Sequence, residues 1–386
     1  DKGYLFFQLD PIEVNVENDS IDLELRMYEG QQARINKVVI KGNDRLYEHV
    51  VRRELRTKPG ELFSKSDLMR SAREIAQTGH FDPESMDIRP EPNPENGTVD
   101  LVYGLQSKAN DQIELSAGWG QTGIIGKLSL KFTNFSMKNL LNPKSYKGII
   151  PQGEGQTFTI SAQTNARYYQ AYSVSFFDPW FGGKRPNSFS LSAFYSKQTA
   201  VSDNYYSNNY FDPYGYGYGN YGYMNGSGYD YTYSLDPDKY MKTVGVSAGF
   251  GKRLNWPDDY FTFSTELSYQ LYLLKDWQYL YHNPDGTSHI ITLNFTLARN
   301  SIDNPIYTRR GSQFSLSLQL TPPYSLFDGI DYKNLDVTNN KSDRQKMNKW
   351  IEYYKWKFKA KTFTPLTTSE KHTLVLMTRA EFGFLG

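Results

Sequence analysis

The sequence contains no cysteine among its 386 residues. Disulfides and thiolate metal sites are therefore excluded together, although the absence assigns no compartment. It also lacks any run approaching the ~20 consecutive apolar residues that a membrane-spanning helix needs, and only 38% of its residues are hydrophobic. An α-helical membrane protein is excluded. A β-barrel is not, because spanning strands turn an apolar side chain toward lipid only at every second position. Net charge is missing too: 43 basic residues face 42 acidic ones, for a formal +1, so no global field draws the chain to nucleic acid. Histidine is sparse, and His49, His80, His282, His289 and His372 show no ligand spacing, which favours surface or lumen histidines over a metal site. The opening "DKGYLFFQLDPIEV" has no basic, apolar and small-residue regions in series, as expected when a secretion signal has been removed or lies outside the sequence.

Aromatics are abundant: they make up 16% of the chain, with 31 tyrosines, and tyrosine and tryptophan suit boundaries that are apolar on one side and wet on the other. The character of the chain changes near residue 110. Before it, helical and strand patterns mix; after it, helical periodicity almost vanishes. Residues 1–32 hold two strand-like runs, "LFFQLDPIEVNVE" and "SIDLELRMYEG", which read as the closing hairpin of a domain. Residues 33–109 form a fuller unit. "ARINKVVIKGN" is a strand ending at a Gly42-Asn43 turn. "RLYEHVVRREL" spaces Leu46 with Val50 and Val51 with Leu55 as an amphipathic helix, which Pro59-Gly60 stops. "SKSDLMRSAREIAQTG" is a stronger helix, with Ser64 as N-cap, a stripe of Leu68, Ala72, Ile75 and Ala76, and Gly79 just past its end. Two strands, "FDPESMDIRPEP" and "GTVDLVYGLQSK", complete a β-α-α-β-β module of about 75 residues, a size compatible with one compact unit.

From Asp111 to Gly386, alternating segments recur. In "DQIELSAGWG", Ile113, Leu115, Ala117 and Trp119 alternate with Glu114, Ser116 and Gly118. Ten more sets begin at Leu128, Phe158, Tyr172, Phe189, Val244, Phe261, Ile291, Phe314, Tyr354 and Leu374. Opposite faces are polar, as in Thr157, Thr159 and Ser161, or Lys355, Lys357 and Lys359. A sandwich would turn the apolar faces toward a second sheet; a membrane barrel would turn them toward lipid and the polar faces toward a lumen. Three features favour the barrel. Trp119, Phe132, Phe176, Trp180, Trp256, Tyr260 and Trp350 sit at segment ends, where interfacial girdles belong. Segments of roughly nine to eleven residues match a tilted span. "NWPDDY" is a short connection, whereas 199–240 and 322–349 are long, as for turns on one side and loops on the other. Single-chain bacterial barrels have even strand numbers, and "EFGFLG" ends inside a strand-like run, so the closing strands are expected beyond this sequence.

Motifs for chemistry do not survive their context. "GVSAG" (Gly245 to Gly249) matches a nucleophile elbow, but Ser247 lies within an alternating strand with no helix after it. "GYGNYG" (Gly217 to Gly222) matches a dinucleotide fingerprint without the flanking strand and helix; it belongs to a Tyr/Gly-rich insert that reads as a surface loop. Sequons at Asn96 and Asn225 recur by chance. Lys355, Lys357, Lys359 and Lys361 form a basic row whose plain reading is a solvated lumen face, with a pore-lining role as the alternative. No catalytic residue, cofactor site or metal site is identified.

The layout of a β-α-α-β-β unit followed directly by a barrel resembles the BamA/Sam family of outer-membrane assembly and translocation proteins. "INKVVIKGNDRLYEHVVRRELRTKPGELFSKSDLMRSAREIAQTGHFD" is similar to the family's last POTRA repeat, including Lys-Gly-Asn after the first strand, Arg-Arg-Glu-Leu-Arg in the first helix and Gly-His-Phe before the next strand. "VDLVYGLQSKANDQIELSAGWG" resembles that repeat's final strand running into the first barrel strand, and "FFDPWFGGKR" and "DNPIYTRRGSQFSLSL" resemble family turns. The resemblance covers nearly the whole chain. It implies an α+β POTRA module followed by an antiparallel transmembrane β-barrel of about 16 strands, in the bacterial outer membrane with POTRA domains in the periplasm. The implied domains are the tail of one POTRA repeat (1–32), a complete one (33–109) and the first part of a barrel (110–386) with a Tyr/Gly-rich extracellular loop at about 199–240. The implied activity is folding and inserting barrel proteins, with unfolded outer-membrane proteins as clients and with accessory lipoproteins and lipid as partners. The first barrel strand, Ile113, Glu114, Leu115, Ser116, Ala117, Gly118 and Trp119, becomes the candidate client-pairing gate. Arg52, Arg53 and Arg56 match the helix that faces an accessory lipoprotein in relatives, although Pro59 replaces the acidic residue expected next and Glu61 is nearby; solvated helix arginines are the plain reading. The Tyr/Gly insert and "NFSMKNLLNPKSYKGIIPQGEGQ" depart from the common pattern, and the family's Val-Arg-Gly-Phe lumen loop would lie past Gly386. A translocator for one exported protein and a passive porin are the alternatives.

Overall fold

The computed structural model describes residues 3–17, 20–120, 123–146, 150–165, 168–201, 235–277, 284–304, 307–367 and 373–386. The Gly217 to Gly222 stretch, Asn225, His282 and His372 lie outside the described residues. Strands β1 (Gln8–Glu17) and β2 (Ser20–Tyr28) pair antiparallel as a hairpin. The α/β module follows, built from β3 (Arg34–Lys41), α1 (Glu48–Arg52), α2 (Lys65–Gln77), β4 (Asp87–Asn93) and β5 (Thr98–Gly104).

Its sheet has the order β3-β5-β4, with β5 parallel to β3 and antiparallel to β4. Central β5 turns Val99, Leu101 and Tyr103 inward, each with no solvent exposure. They meet Ile35 and Val38 of β3, Val50 and Val51 of α1, and Leu68 and Ile75 of α2; each fully buried aliphatic side chain contributes about 1.5–3 kcal/mol. The Tyr103 hydroxyl lies 2.7 Å from Thr57 Oγ1, so its burial leaves no polar atom unpaired. Helix α2 starts as its sequence signals: Ser64 Oγ accepts from the Asp67 N–H. Helix α1 is only five residues long, shorter than its apolar spacing predicts. The Asn43 side-chain amide engages both the N–H and the C=O of Leu46, a local pairing that competes with helical hydrogen bonds. Leu46 and Leu55 are buried all the same, from turns flanking the helix.

The rest of the chain forms one antiparallel sheet of 11 strands in sequence order. They are β6 (Gln112–Gly120), β7 (Gly123–Phe135), β8 (Gln156–Asn165), β9 (Tyr169–Asp178), β10 (Asn187–Val201), β11 (Leu235–Arg253), β12 (Phe261–Lys275), β13 (Gly286–Asn300), β14 (Gly311–Leu320), β15 (Tyr354–Pro365) and β16 (Val375–Leu385). The registers bring the apolar sets together strand after strand. Leu115 faces Leu128, Leu128 faces Ala162, Ala193 faces Val246, Leu267 faces Leu293, and Phe358 faces Phe382. No second sheet covers this face among the described residues. Leu128, Leu191, Val246 and Leu267 remain 43%, 51%, 49% and 55% exposed, whereas a sandwich would bury them between its layers. A continuous exposed apolar face on a wall of this width is the pattern that a membrane barrel's outer surface requires.

Strands reach 15 residues in β10, β12 and β13 and 19 in β11, longer than the segments read from alternation. The excess lies on the side away from the α/β module, so β10 and β11 absorb residues 199–201 and 235–240 of the Tyr/Gly connection; residues 202–234 fall outside the described set. The 321–353 connection, on that same side, contains a helix that periodicity did not indicate, α3 (Lys341–Asn348), capped by Asn340. Connections 136–155, 179–186, 254–260 and 301–310 lie on the module's side. The first of these is long, so loop length alone does not sort the two sides.

Candidate functional site at the barrel edge and the domain junction

Strand β6 is one end of the described sheet and β16 is the other. Strand β6 pairs with β7 on one side, and no strand pairs with its other side among the described residues. Ile113, Leu115 and Trp119 are 76%, 78% and 84% exposed on the apolar face. On the polar face Glu114 accepts from Lys127 Nζ of β7 at 2.8 and 2.9 Å, while Ser116 faces Lys127 and Gly118 faces Ile125 across the ladder. The start of the strand is fixed by Asp111, whose carboxylate accepts from Arg45 of the module at 3.0 Å and from the Thr133 N–H at 2.9 Å. Beyond this anchor β6 carries no proline or bulge that would blunt strand addition.

The module's own edges are less accessible. On β4, Pro90 and Pro92 have no N–H to offer. On β3, the Ile35 N–H donates to Glu61 O, its C=O accepts from the Gly60 N–H, and the Val38 C=O accepts from Arg52. The β6 backbone, free of proline and bulge, is thus better suited to strand addition than either edge of the module.

The module docks on the barrel turns through its two helices and their flanks. The 136–155 connection is part of that seat: the Tyr47 N–H donates to Gly153 O at 2.9 Å, His49 Nε2 lies 3.2 Å from Glu154 Oε2, and Arg53 donates to Glu154 O at 3.2 Å. Gly155, at φ +69°, sits against Val50, His80 and Leu46, with 3.2 Å from an added Cβ to the nearest atom. A side chain there would be both strained and crowded. In the 179–186 turn, Trp180 Nε1 donates to Glu54 and its ring lies beneath the Arg53 guanidinium, 5.3 Å from the centroid. In the 254–260 turn, Asp259 pairs with Arg56 and Arg70, and Arg70 stacks on Tyr260 at 4.1 Å. Glu74 of α2, only 9% exposed, receives Arg56, Arg70 and Arg253 at 3.0 to 3.2 Å. Burial pushes the Glu54 carboxyl above the usual range and pulls the His80 imidazole down to about 4.

Between module and barrel lies a cavity of about 390 Å³, lined by Glu54, Glu74 and Trp180 and by Ser188, Gly251 and Ser264 of the polar sheet face. The polar face therefore opens onto the module, which sits under one mouth of the lumen. Sequence comparison identifies what this arrangement belongs to. Residues 152–386, well over half of the chain, match the Omp85 superfamily domain. The chain belongs to the Omp85 superfamily. Residues 33–108 match the POTRA model, described as a surface antigen variable number repeat, and an Omp85 chain carrying such a module is an outer-membrane protein with its POTRA domain in the periplasm.

Relatives include the outer membrane protein assembly factor BamA of Neisseria meningitidis serogroup B, 29% identical over 168 residues that are 43% of this chain and 19% of that protein. BamA of Neorickettsia risticii is 26% identical over 299 residues, 65% of this chain and 39% of that protein. The chain thus spans less than half the length of these relatives. Among solved structures, BamA from Haemophilus ducreyi lacking POTRA domains 1–3 aligns over 100% of this chain and 62% of its own, at TM-score 0.52 and 16% identity. CdiB from Escherichia coli aligns over 100% and 59%, at TM-score 0.52 and 11% identity; both likenesses are of fold. At the level of the Omp85 family, the activity is outer-membrane protein assembly or translocation.

The residues singled out from sequence divide in this Omp85 frame. Ile113 to Trp119 lie together in one strand, β6. Arg53 and Arg56 are engaged inside the chain, on Trp180, Glu154, Glu74 and Asp259. Arg52 pairs with Glu48 one turn away and is the one of the three turned from the junction. Trp180 and Tyr260, placed by sequence in an interfacial girdle, hold the POTRA domain instead. Ser247 of "GVSAG" lies 2.8 Å from Ser192 across the polar face, a hydroxyl pair within the sheet. Glu54, Arg70, Glu74, Asp259 and Arg253 were not legible as a site. The one signal was the pair of polar residues, Ser71 and Glu74, that the apolar face of α2 buries.

Proposed function

We propose that this chain belongs to a protein that folds and inserts β-barrel proteins into the bacterial outer membrane, by pairing their strands with the barrel edge at β6. The observation that carries the reading is the setting of β6: the POTRA domain fixes its start through Arg45 and Asp111 and no proline or bulge interrupts its backbone, while the POTRA edges are blunted by Pro90 and Pro92 or occupied by the 60–63 segment and Arg52. Strand addition supplies main-chain hydrogen bonds to clients of many sequences. Within the membrane it also removes the cost of unpaired backbone groups. The POTRA domain under the lumen mouth brings clients to this edge from the periplasm. Accessory lipoproteins would meet the outer surface of α1, where Arg52 is the exposed arginine, and the apolar face of the sheet meets outer-membrane lipid.

A second reading, export of one soluble partner through the lumen, draws on the polar inner face and on the fold likeness to CdiB. A folded domain seated beneath the lumen is of no use to a passive porin. Depletion in cells separates the first two. Broad loss of outer-membrane barrel proteins is the expected result, and loss of a single secreted protein with the barrels intact would overturn the assembly reading.

A further inference from the structure

The polar face of the sheet is chemically uniform over most of its width. From β8 to β13 it presents Thr159, Ser175, Ser192, Ser247, Ser268 and Thr292 in one register and, from β12 to β14, Ser264, Thr296 and Ser317 in another, with Phe177, Phe194 and Glu266 as interruptions. At β15 the chemistry changes. Lys355, Lys357, Lys359 and Lys361 occupy successive positions of this face, opposite Gln319, Ser317, Ser315 and Gln313 of β14. On β16 the facing residues are Leu385, Gly383, Glu381 and Arg379. Lys359 reaches Glu381 at 3.6 Å and Arg379 reaches the same carboxylate at 2.7 Å. Among the described residues, Lys355, Lys357 and Lys361 have no carboxylate within ion-pair distance. Because β15 runs from the 321–353 connection back toward the POTRA side, the row extends from the far rim over more than half of the strand, and Phe363 and Pro365 complete this face.

We infer that this row is a binding track for an extended polypeptide segment carrying acidic side chains at every second position. The match is geometric as well as electrostatic. Same-face side chains on a strand repeat at about 6.8 Å, which is the side-chain repeat of any other extended chain lying along it. Opposite charges placed at that common spacing attract at each step. Four like charges in file repel one another, and three of them lack a counterion among the described residues, so an acidic occupant relieves a strain that the neutral hydroxyl wall beside them does not have. The inference rests on the barrel reading of the sheet, but it does not depend on whether the protein assembles barrels or exports one partner.

The test is binding by the purified full-length protein in detergent micelles at low ionic strength. The probe is a fluorescent 14-residue peptide alternating glutamate and serine, with a glutamine-serine peptide as control. Affinity is read by anisotropy for the native protein and for Lys355→Gln/Lys357→Gln/Lys361→Gln, which keeps the Lys359 pair with Glu381. The expected result is a loss of about tenfold or more in the triple variant, the sum of several exposed charge pairs, with weak binding of the control. In the native protein the affinity should also fall steeply with added salt, a readout that needs no variant to fold. Unchanged affinity in the triple variant, equal binding of the glutamine-serine peptide, or salt-independent binding would each overturn the inference. So would full competition by inorganic sulfate at matched charge, since the site would then be one for small anions.

Discussion

The Arg70–Asp259 pair offers a quantitative test of how the POTRA domain is held. Arg70 is 17% exposed and Asp259 29%, so the pair is partly shielded and its worth lies above that of a surface ion pair. A charge-assisted hydrogen bond contributes about 1.5–3 kcal/mol, which discounting for the remaining solvent access reduces to about 1.5 kcal/mol. Arg70 also stacks on Tyr260 at 4.1 Å and reaches Glu74 at 3.1 Å, so Arg70→Gln alone should cost about 2–3 kcal/mol of docking. A double-mutant cycle with Asp259→Asn isolates the pair from those other contacts. Spin labels on Glu84→Cys and Tyr307→Cys in the full-length protein would report the docked and undocked distances. With a coupling of about 1.5 kcal/mol, Asp259→Asn raises the undocked fraction roughly tenfold or more, and adding it to Arg70→Gln costs only what the Asp259 pair with Arg56 contributes. Strict additivity, or an unaltered distance distribution in every variant, would refute the reasoning.

Two other outcomes follow from the same geometry. Leu128→Arg places a charge on the exposed apolar face and, if that face meets lipid, should cost roughly 2–4 kcal/mol near the midplane in membrane-based unfolding; unchanged stability would mean that the faces are reversed. Because burial holds the His80 imidazole at about 4, below its ordinary 6.5, the folded state binds fewer protons than the unfolded one, and stability present above pH 6.5 is lost as pH falls toward 4. Acidifying from pH 7 to 5 should therefore weaken the POTRA unit by about 1–2 kcal/mol, measured by hydrogen exchange. Glu54 works in the opposite sense, since its raised carboxyl pKa favours the folded state as it takes up a proton. His80→Gln should flatten the acid loss, and an identical slope in that variant would contradict the assignment.

Local signals carried the architecture. The period-2 sets became strands in which Leu115, Leu128 and Ala162 share one face, because alternation is a property of each strand alone. Ser64 and Gly79 bounded α2 for the same reason: caps act within a few residues. What periodicity could not convey was anything built from distant segments. Asp259 and Glu74 are 185 positions apart in sequence and converge on the same arginines only once the barrel turn meets α2. The 136–155 connection read as a departure from pattern, and its role in seating Tyr47, His49 and Arg53 lies entirely in long-range contacts. Trp180 and Tyr260 were misplaced because an aromatic residue at a strand end has the same sequence signature whether it meets lipid or a neighbouring domain. Helix α3 escaped notice since its face is polar all round and its cap, Asn340, is its one local sign.

The central claim is that the β6 edge pairs with client strands, and disulfide trapping in cells tests it most directly. With the full-length protein carrying Ser116→Cys or Gly118→Cys and a newly made barrel protein carrying single cysteines along its terminal strand, the account predicts crosslinks in one register, appearing during synthesis and decaying as the client matures. If neither position traps any client while cysteines in the POTRA domain do, β6 is a structural strand and the claim is contradicted.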